Sequence, residues 1–292
     1  MHPYLLFNGE IRKTSEPLVS PGQTGYMTGW GIFSTLRVSD GVLFAFERHY
    51  ERMQADAVRL RVPFPFSQSE LRRQLHELLE ANSAPDATLR VCIVRNRGGA
   101  FQGAGIERDA DLVAFTTDLK NWGSGVRLTY VPQGRHGASP FAGAKINSWA
   151  QNLTWLEDAN QRGFDEVVLL NELGQVSECT SANIFVLQDH YVLTPPLSTS
   201  GCLPGVTRAI LLEDIRISGL TIREAEITPA GIESARQVFI TSTTRDLLAV
   251  LEVDGRPLAQ DPDTLARLQD AFVQYRSRYV REHADQYQTV DV

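Results

Sequence analysis

The chain has 292 residues and a formal net charge of −7, from 28 Lys and Arg against 35 Asp and Glu. With a sequence pI near 5.4 and its arginines scattered, it lacks the basic face that a nucleic-acid partner requires. Hydrophobic residues make up 42% and charged residues 22%, the balance of a soluble globular protein, and no apolar run approaches membrane-spanning length.

The length suggests two domains, each able to bury a core. Cys92, Cys179 and Cys202 are isolated and form no Cys-x-x-Cys pair, which suits a reducing cytoplasm and offers no zinc framework. Cys179 reads as a small buried thiol, despite its place beside Glu178. The N-terminal stretch has neither a basic region nor a long apolar core, so no secretory signal is expected.

Taken in order, Tyr4 to Phe7 and Glu10 to Lys13 read as a hairpin turning at Asn8 and Gly9. Ile32 to Val38 alternates, meets Asp40 and Gly41, and returns as Val42 to Phe46. Gly29 and Gly31 lack the third glycine of a dinucleotide fingerprint, so that site is rejected. A helix is expected from Glu47 to Leu60, with Tyr50, Met53, Ala57 and Leu60 as its apolar stripe and His49 and Arg52 beside it. On spacing alone Arg52 would pair with Asp56 at i+4. Ser67 and Glu70 form a capping box that opens a helix to about Ala81. Thr88 to Arg95 and Asp111 to Thr116 read as strands, joined by a loop with Arg95, Arg97, Gly98, Gly99 and Phe101. Residues 1–118 then make a small α/β domain, 119–125 a linker, and 126–292 a larger domain.

In the second half, Val126 to Val131 is a strand, and a glycine-rich loop from Gly134 to Gly143 leads to Lys145. A helix runs from about Ser148 to Gly163, and a hairpin of Phe164 to Leu170 and Gly174 to Glu178 delivers Glu178. Strand-like residues from Asn183 and from Tyr191 to Thr194 precede a turn that ends in Leu203, Gly205, Val206, Thr207 and Arg208. An amphipathic run follows, Ala209 to Leu220, so the turn presents free N–H groups at a helix start, a ready phosphate site. Gln237 to Thr241 is a strand entering Ser242, Thr243, Thr244, Arg245 and Asp246, a hydroxyl-rich anion-binding turn. A hairpin turns at Asp254 and Gly255. The last helix runs from about Asp263 to His283, with a frayed polar tail.

The set Glu178, Thr180, Asn183, Ile184, Phe185, then Val192 and Thr194, then Leu203, Gly205, Val206 and Arg208 resembles the signature of the class-IV aminotransferases. These are the fold-type-IV pyridoxal-phosphate enzymes: branched-chain and D-amino-acid aminotransferases and aminodeoxychorismate lyase. The resemblance implies an α+β fold, with a small α/β N-terminal domain and a larger domain of mostly antiparallel sheet or barrel. It also implies pyridoxal 5'-phosphate carried on a lysine. The chain has three: Lys13 in a polar stretch, Lys120 in the linker, and Lys145 among small residues at the separation from Glu178 expected in the family. Lys145 is therefore the expected catalytic lysine. Glu178 would face the pyridine nitrogen, with Asn183 in support. Arg52, the N–H groups of Val206 and Thr207, and the Thr243 hydroxyl would hold the phosphate. Phe33, Thr35, Arg37, Arg95, Arg97 and Thr244 are the candidate substrate contacts.

Within the family, Thr35, the residues Glu178 to Asn183 and the run Arg95 to Gly99 are nearer to the lyase. The turn after Thr241 resembles the aminotransferases' carboxylate-binding turn, and no Arg-x-His clamp follows Arg95. The expected function is amino transfer between an amino acid or amine and a 2-oxo acid, branched-chain-like. The alternatives are pyruvate-eliminating aminodeoxychorismate lyase and a non-catalytic cofactor-binding homologue. A homodimer is implied, in which the loop around Arg95 and Phe101 reaches toward the partner's cofactor. No nucleic acid, membrane or metal is expected.

Overall fold

Residues 1–99 and 102–285 are described by the structure, a computed structural model, and they fall into two units. The first holds Met1–Lys120, Ala144–Trp149 and the chain from Arg276; the second holds Asn121–Gly143 and Ala150–Tyr275. The division is thus not the single cut near 119–125 that the sequence suggests. Residues 144–149 join the first unit through main-chain hydrogen bonds to its sheet, and the chain end joins it through Tyr279, which donates to Glu47 and packs edge-on against Phe44. Phe101 and the tail from 286 onward, the expected frayed end, lie outside the described residues.

The first unit runs β1 (Tyr4–Phe7), β2 (Glu10–Lys13), α1 (Thr24–Thr28), β3 (Gly31–Ser39), β4 (Val42–Leu43), α2 (Phe46–Leu60), α3 (Gln68–Ala81), β5 (Ala87–Arg95) and β6 (Ala110–Thr117). The strands form an antiparallel sheet in the order β2-β1-β6-β5-β3-β4. Alternation decides its inner face: Ile32, Leu36, Val38, Leu89, Val91 and Ile93 are fully buried in one cluster with Tyr50, Met53 and Ala57 of α2 and Leu71, Leu75 and Leu78 of α3. Each such side chain contributes about 1.5–3 kcal/mol by leaving water. Ser67 caps α3 by accepting from the Glu70 N–H at 3.2 Å. The expected strand Val42 to Phe46 shortens to β4. Leu43, Phe44, Ala45 and Phe46 are all buried, and Ala45, at φ 53°, turns the chain straight into α2.

The second unit runs β7 (Gly125–Val131), α4 (Ala150–Gln161), β8 (Glu166–Leu170), β9 (Val176–Cys179), β10 (Asn183–Gln188), β11 (Tyr191–Thr194), α5 (Leu197–Ser200) and α6 (Val206–Glu213). It continues with β12 (Thr221–Glu224), α7 (Pro229–Glu233), β13 (Gln237–Ser242), β14 (Asp246–Val253), β15 (Arg256–Pro257) and α8 (Pro262–His283), of which the residues up to Tyr275 belong to this unit. The sheet order is β12-β11-β10-β13-β14-β7-β8-β9, with β15 on β14. The pairings β11–β12, β14–β7 and β7–β8 are parallel and the others antiparallel, so the sheet is mixed. The sheet curls: β9 packs back against β10, and the Cys179 N–H donates to the Ala182 carbonyl.

Strands β10 and β13 are buried on both faces. Ile184, Val186, Val238 and Ile240 enter the larger core, while Phe185 and Phe239 stack at 5.1 Å. Helix α6 starts earlier and ends sooner than the expected Ala209 to Leu220, because the Ile215 N–H closes back on the Ile210 carbonyl and ends the helix at Glu213. The fold class is α+β. Among the described residues no helix is long and apolar enough to cross a membrane.

Candidate active site

Strand β3 pairs with β5 along its length but with β4 only at Val38 and Ser39, which leaves an open edge at its start. The segment carrying Lys145 fills that edge. Phe33 N–H donates to the Lys145 carbonyl at 3.0 Å, Asn147 N–H donates to Gly31 at 2.9 Å, and Ile32 bridges Ile146. Gly31 permits this approach: a Cβ there would lie 2.5 Å from Asn147 Nδ2 and 2.7 Å from the Ile93 oxygen. The Lys145 N–H donates to Asp56 Oδ2 at 3.2 Å, and its Nζ stands 4.4 Å from the Phe33 ring centroid. Lys145 is half-buried, whereas Lys13 and Lys120 are exposed.

Arg52 lies one turn before Asp56 on α2. Its guanidinium donates to Ser34 Oγ at 2.8 Å, and the same oxygen lies 2.8 Å from His49 Nδ1. Because Arg52 can only donate, the Ser34 hydroxyl turns its hydrogen to His49, whose Nδ1 is then the unprotonated nitrogen. Burial, followed by the charges of Arg52 and Lys145, pushes His49 well below its usual value and keeps it neutral. Burial also lowers Arg52 to about 10, against the opposing charge of Asp56. It raises Asp56, against the Lys145 N–H and then Arg52.

The other face of β3 carries Phe33, Thr35 and Arg37, with Thr35 opposite Arg90 of β5. The Arg90 guanidinium lies over the Phe33 ring at 3.7 Å, and Trp149 meets that ring edge-on at 6.1 Å. No carboxylate of a described residue pairs with Arg90. Arg95 and Arg97 have other work. Arg95 donates to the carbonyls of Arg97 and Arg61 at 2.7 and 2.6 Å and stacks on Trp30, while Arg97 meets Asp109 at 3.3 Å.

In the second unit Glu178, on β9, is 6% exposed. Its Oε1 accepts from Arg135 Nε at 2.9 Å and its Oε2 from the Leu203 N–H at 3.0 Å. Arg135 also donates to Asn152, which in turn donates to the Thr180 carbonyl. Asn183, at the start of β10, donates to the Leu203 carbonyl at 2.9 Å. Glu178 and Asn183 therefore hold the two sides of one residue. A Cβ at position 205 would come within 2.0 Å of Asn183 Oδ1, so only glycine allows this turn.

Gly205 is the N-cap of α6 and supplies no side-chain acceptor to the first turn. The Thr207 hydroxyl, in a residue 2% exposed, is buried with no hydrogen-bond partner. Uncapped N–H groups beside an orphaned hydroxyl fit the phosphate that the sequence resemblance implies. Arg208, by contrast, is itself buried and tied to the Pro195 carbonyl and to the exposed carboxylate of Glu224. Thr243 and Thr244 lie half-buried in the turn after β13, where Ser242 Oγ accepts from the Arg245 N–H at 3.2 Å.

Arg245 donates to the Ser181 carbonyl at 3.2 Å and to Glu166 Oε2 at 3.3 Å. The fully buried Glu166 also accepts from Val167 N–H, Thr180 N–H and the hydroxyls of Thr180 and Ser181. The turn carrying Thr243 and Thr244 is thereby tied to the loop that follows Glu178. Burial, then the nearby Glu166, pushes the Cys179 thiol well above its usual value, which suits a packing role.

Sequence reasoning missed Arg135, Asn152, Glu166, Ser34 and Arg90. The one signal was Arg135 itself, an arginine inside the glycine-rich loop before Lys145.

A family model described as amino-transferase class IV matches residues 31–253. A D-alanine aminotransferase of Bacillus licheniformis is 28% identical over 258 residues, 87% of this chain and 89% of that protein. The solved branched-chain amino acid aminotransferase of Escherichia coli has a TM-score of 0.85 at 23% identity, covering 94% of this chain and 95% of that one. A hypothetical aminotransferase from Mycobacterium tuberculosis, solved in a PLP-bound form, has a TM-score of 0.82 at 24% identity and covers 94% and 100%.

Proposed function

The chain belongs to the class IV aminotransferase family, and from that membership we propose that it is a pyridoxal-phosphate-dependent aminotransferase moving an amino group between an amino acid and a 2-oxo acid. The observation that carries the reading is Lys145. Of three lysines it alone is half-buried, with its peptide held on both sides and its amine against an aromatic ring beside the helix that bears Arg52.

Pyridoxal phosphate, when bound, supplies an electron sink for the pair left as the substrate Cα–H bond breaks. Lys145 Nζ would hold the cofactor and, as a free amine, would take the proton from the substrate Cα. Glu178, fixed by Arg135 and the Leu203 N–H, would keep the cofactor's pyridine nitrogen protonated, and each of its oxygens keeps a further lone pair for such a contact. Arg52, the N–H groups of Val206 and Thr207, and the hydroxyls of Thr207 and Thr243 would be the groups that take its phosphate.

Arg90 stands over Phe33, the ring that Lys145 Nζ also faces, and so suits a substrate carboxylate. Read as the contact for a second carboxylate, Arg90 would favour dicarboxylic acceptors such as 2-oxoglutarate. The branched-chain and D-amino-acid relatives support amino transfer over lyase chemistry. A homodimer and a cytoplasmic location, which three free cysteines suit, complete the reading.

Borohydride reduction in the presence of pyridoxal phosphate should fix the cofactor on Lys145, read by peptide mapping. An adduct on Lys13 or Lys120, or none, would overturn the assignment. A screen of amino donors with pyruvate or 2-oxoglutarate then tests the reaction. Pyruvate release from the chorismate-derived amine without amino transfer would make the protein a lyase.

A further inference from the structure

A carboxylate that is 3% exposed is costly to keep in a protein interior unless its neighbours compensate it. Asp56 is such a group, and what surrounds it is specific. On its own helix it feels Arg52 and Arg59, and from the segment at the edge of β3 it accepts the Lys145 N–H at 3.2 Å and feels the Lys145 amine. Other charged or titratable groups near Lys145 among the described residues include His49 on α2, whose titration the lysine affects, and Arg90 on β5, across the shared Phe33 ring. Phe33 holds the Lys145 carbonyl at 3.0 Å, so Asp56 supplies the other half of a clamp on that one peptide.

We propose that Asp56 is a positioning residue for Lys145: its carboxylate fixes the lysine's main chain at the edge of β3 and sets a negative charge near its amine. The inference rests on the reading of Lys145 as the cofactor's lysine. A long side chain reaches a defined point only if its Cα is fixed, and the two main-chain hydrogen bonds that bridge Ile146 to Ile32 both run to β3. Asp56 ties it to α2, one turn from Arg52. One helix thus sets both a phosphate arm and the attachment point.

The test uses the full chain as wild type, Asp56→Asn and Asp56→Ala, before pyridoxal phosphate is added. Asparagine keeps an acceptor and the size but drops the charge; alanine drops both. Two readouts separate the roles. Exchange of the Lys145 amide hydrogen should stay slow in Asp56→Asn and quicken roughly tenfold or more in Asp56→Ala. Trace labelling of amines with acetic anhydride across pH, mapped by mass spectrometry, should show the Lys145 midpoint falling in both variants. Lys13 and Lys120 serve as references within the same molecule and should not move.

An unchanged Lys145 midpoint in Asp56→Asn, or amide exchange in Asp56→Ala equal to wild type, overturns the proposal. If Asp56→Ala does not fold, the Asp56→Asn midpoint still decides. Borohydride mapping of the cofactor adduct on wild type is independent of these results. An adduct away from Lys145 sinks the functional reading and leaves the clamp to stand or fall on its own data.

Discussion

Glu166 offers a quantitative test of how the second unit is held together. It is fully buried, and its carboxylate takes donors on both oxygens, with Arg245 on Oε2 at 3.3 Å and Ser181 on the same oxygen at 2.6 Å. Glu166→Gln must place an amide NH2 on one side. On the Oε1 side it would face three donors; on the Oε2 side it faces Arg245 and a serine hydroxyl that can rotate. The second arrangement costs less but sets donor against donor at Arg245.

Stranding one member of a buried pair costs about 3–5 kcal/mol. Arg245 keeps the Ser181 carbonyl and the Trp122 ring at 3.9 Å, so the lower end, about 3 kcal/mol, is expected. For a protein of this size that is a fall in melting temperature of about 5 °C. Arg245→Met should cost less, about 1.5–2 kcal/mol, because Glu166 retains its other donors. The double variant should cost less than the two singles combined, by about 1–2 kcal/mol, in a cycle measured by urea or thermal unfolding. Single-variant losses under about 0.5 kcal/mol, or strict additivity, would refute the view that this pair fastens the Thr243 turn to the loop after Glu178.

Four further outcomes are expected. Glu178→Gln should bind pyridoxal phosphate yet slow the half-reaction with an amino donor by orders of magnitude in stopped-flow absorbance; near-normal turnover would make Glu178 structural. Arg52→Ala should weaken pyridoxal phosphate affinity about 10- to 100-fold by equilibrium dialysis, the loss of a charge-assisted contact, with a smaller effect on turnover at saturation. Arg90→Met should raise KM for 2-oxoglutarate far more than for pyruvate, and equal effects on both would remove Arg90 from the substrate's second carboxylate. Stability should also fall as pH drops from about 6.5 toward 4, because burial holds His76 at about 4 and His49 well below its usual value, so the unfolded chain binds protons that the folded chain refuses. The slope should be up to about 1.4 kcal/mol per pH unit per histidine, and His76→Gln should reduce it; a slope unchanged in that variant would contradict the assignment.

The sequence by itself determined what depends on neighbours along the chain. Alternation placed β3, β5 and β6, helical spacing placed α2 with its stripe of Tyr50, Met53 and Ala57, and Ser67 marked the start of α3. A spaced set from Glu178 to Arg208 was legible as a family signature because each of its members meets a demand of one strand–turn–helix unit. Asn183 leaves no room for a side chain at Gly205, and Gly205 opens α6. Tertiary structure alone decided what rests on residues far apart in number. Arg135 meets Glu178 across 43 positions, Asp56 meets Lys145 across 89, and Glu166 meets Arg245 across 79. None of these pairs leaves a local pattern, since a buried charge is satisfied by whichever donor the fold brings to it, and sequence spacing carries no record of that choice.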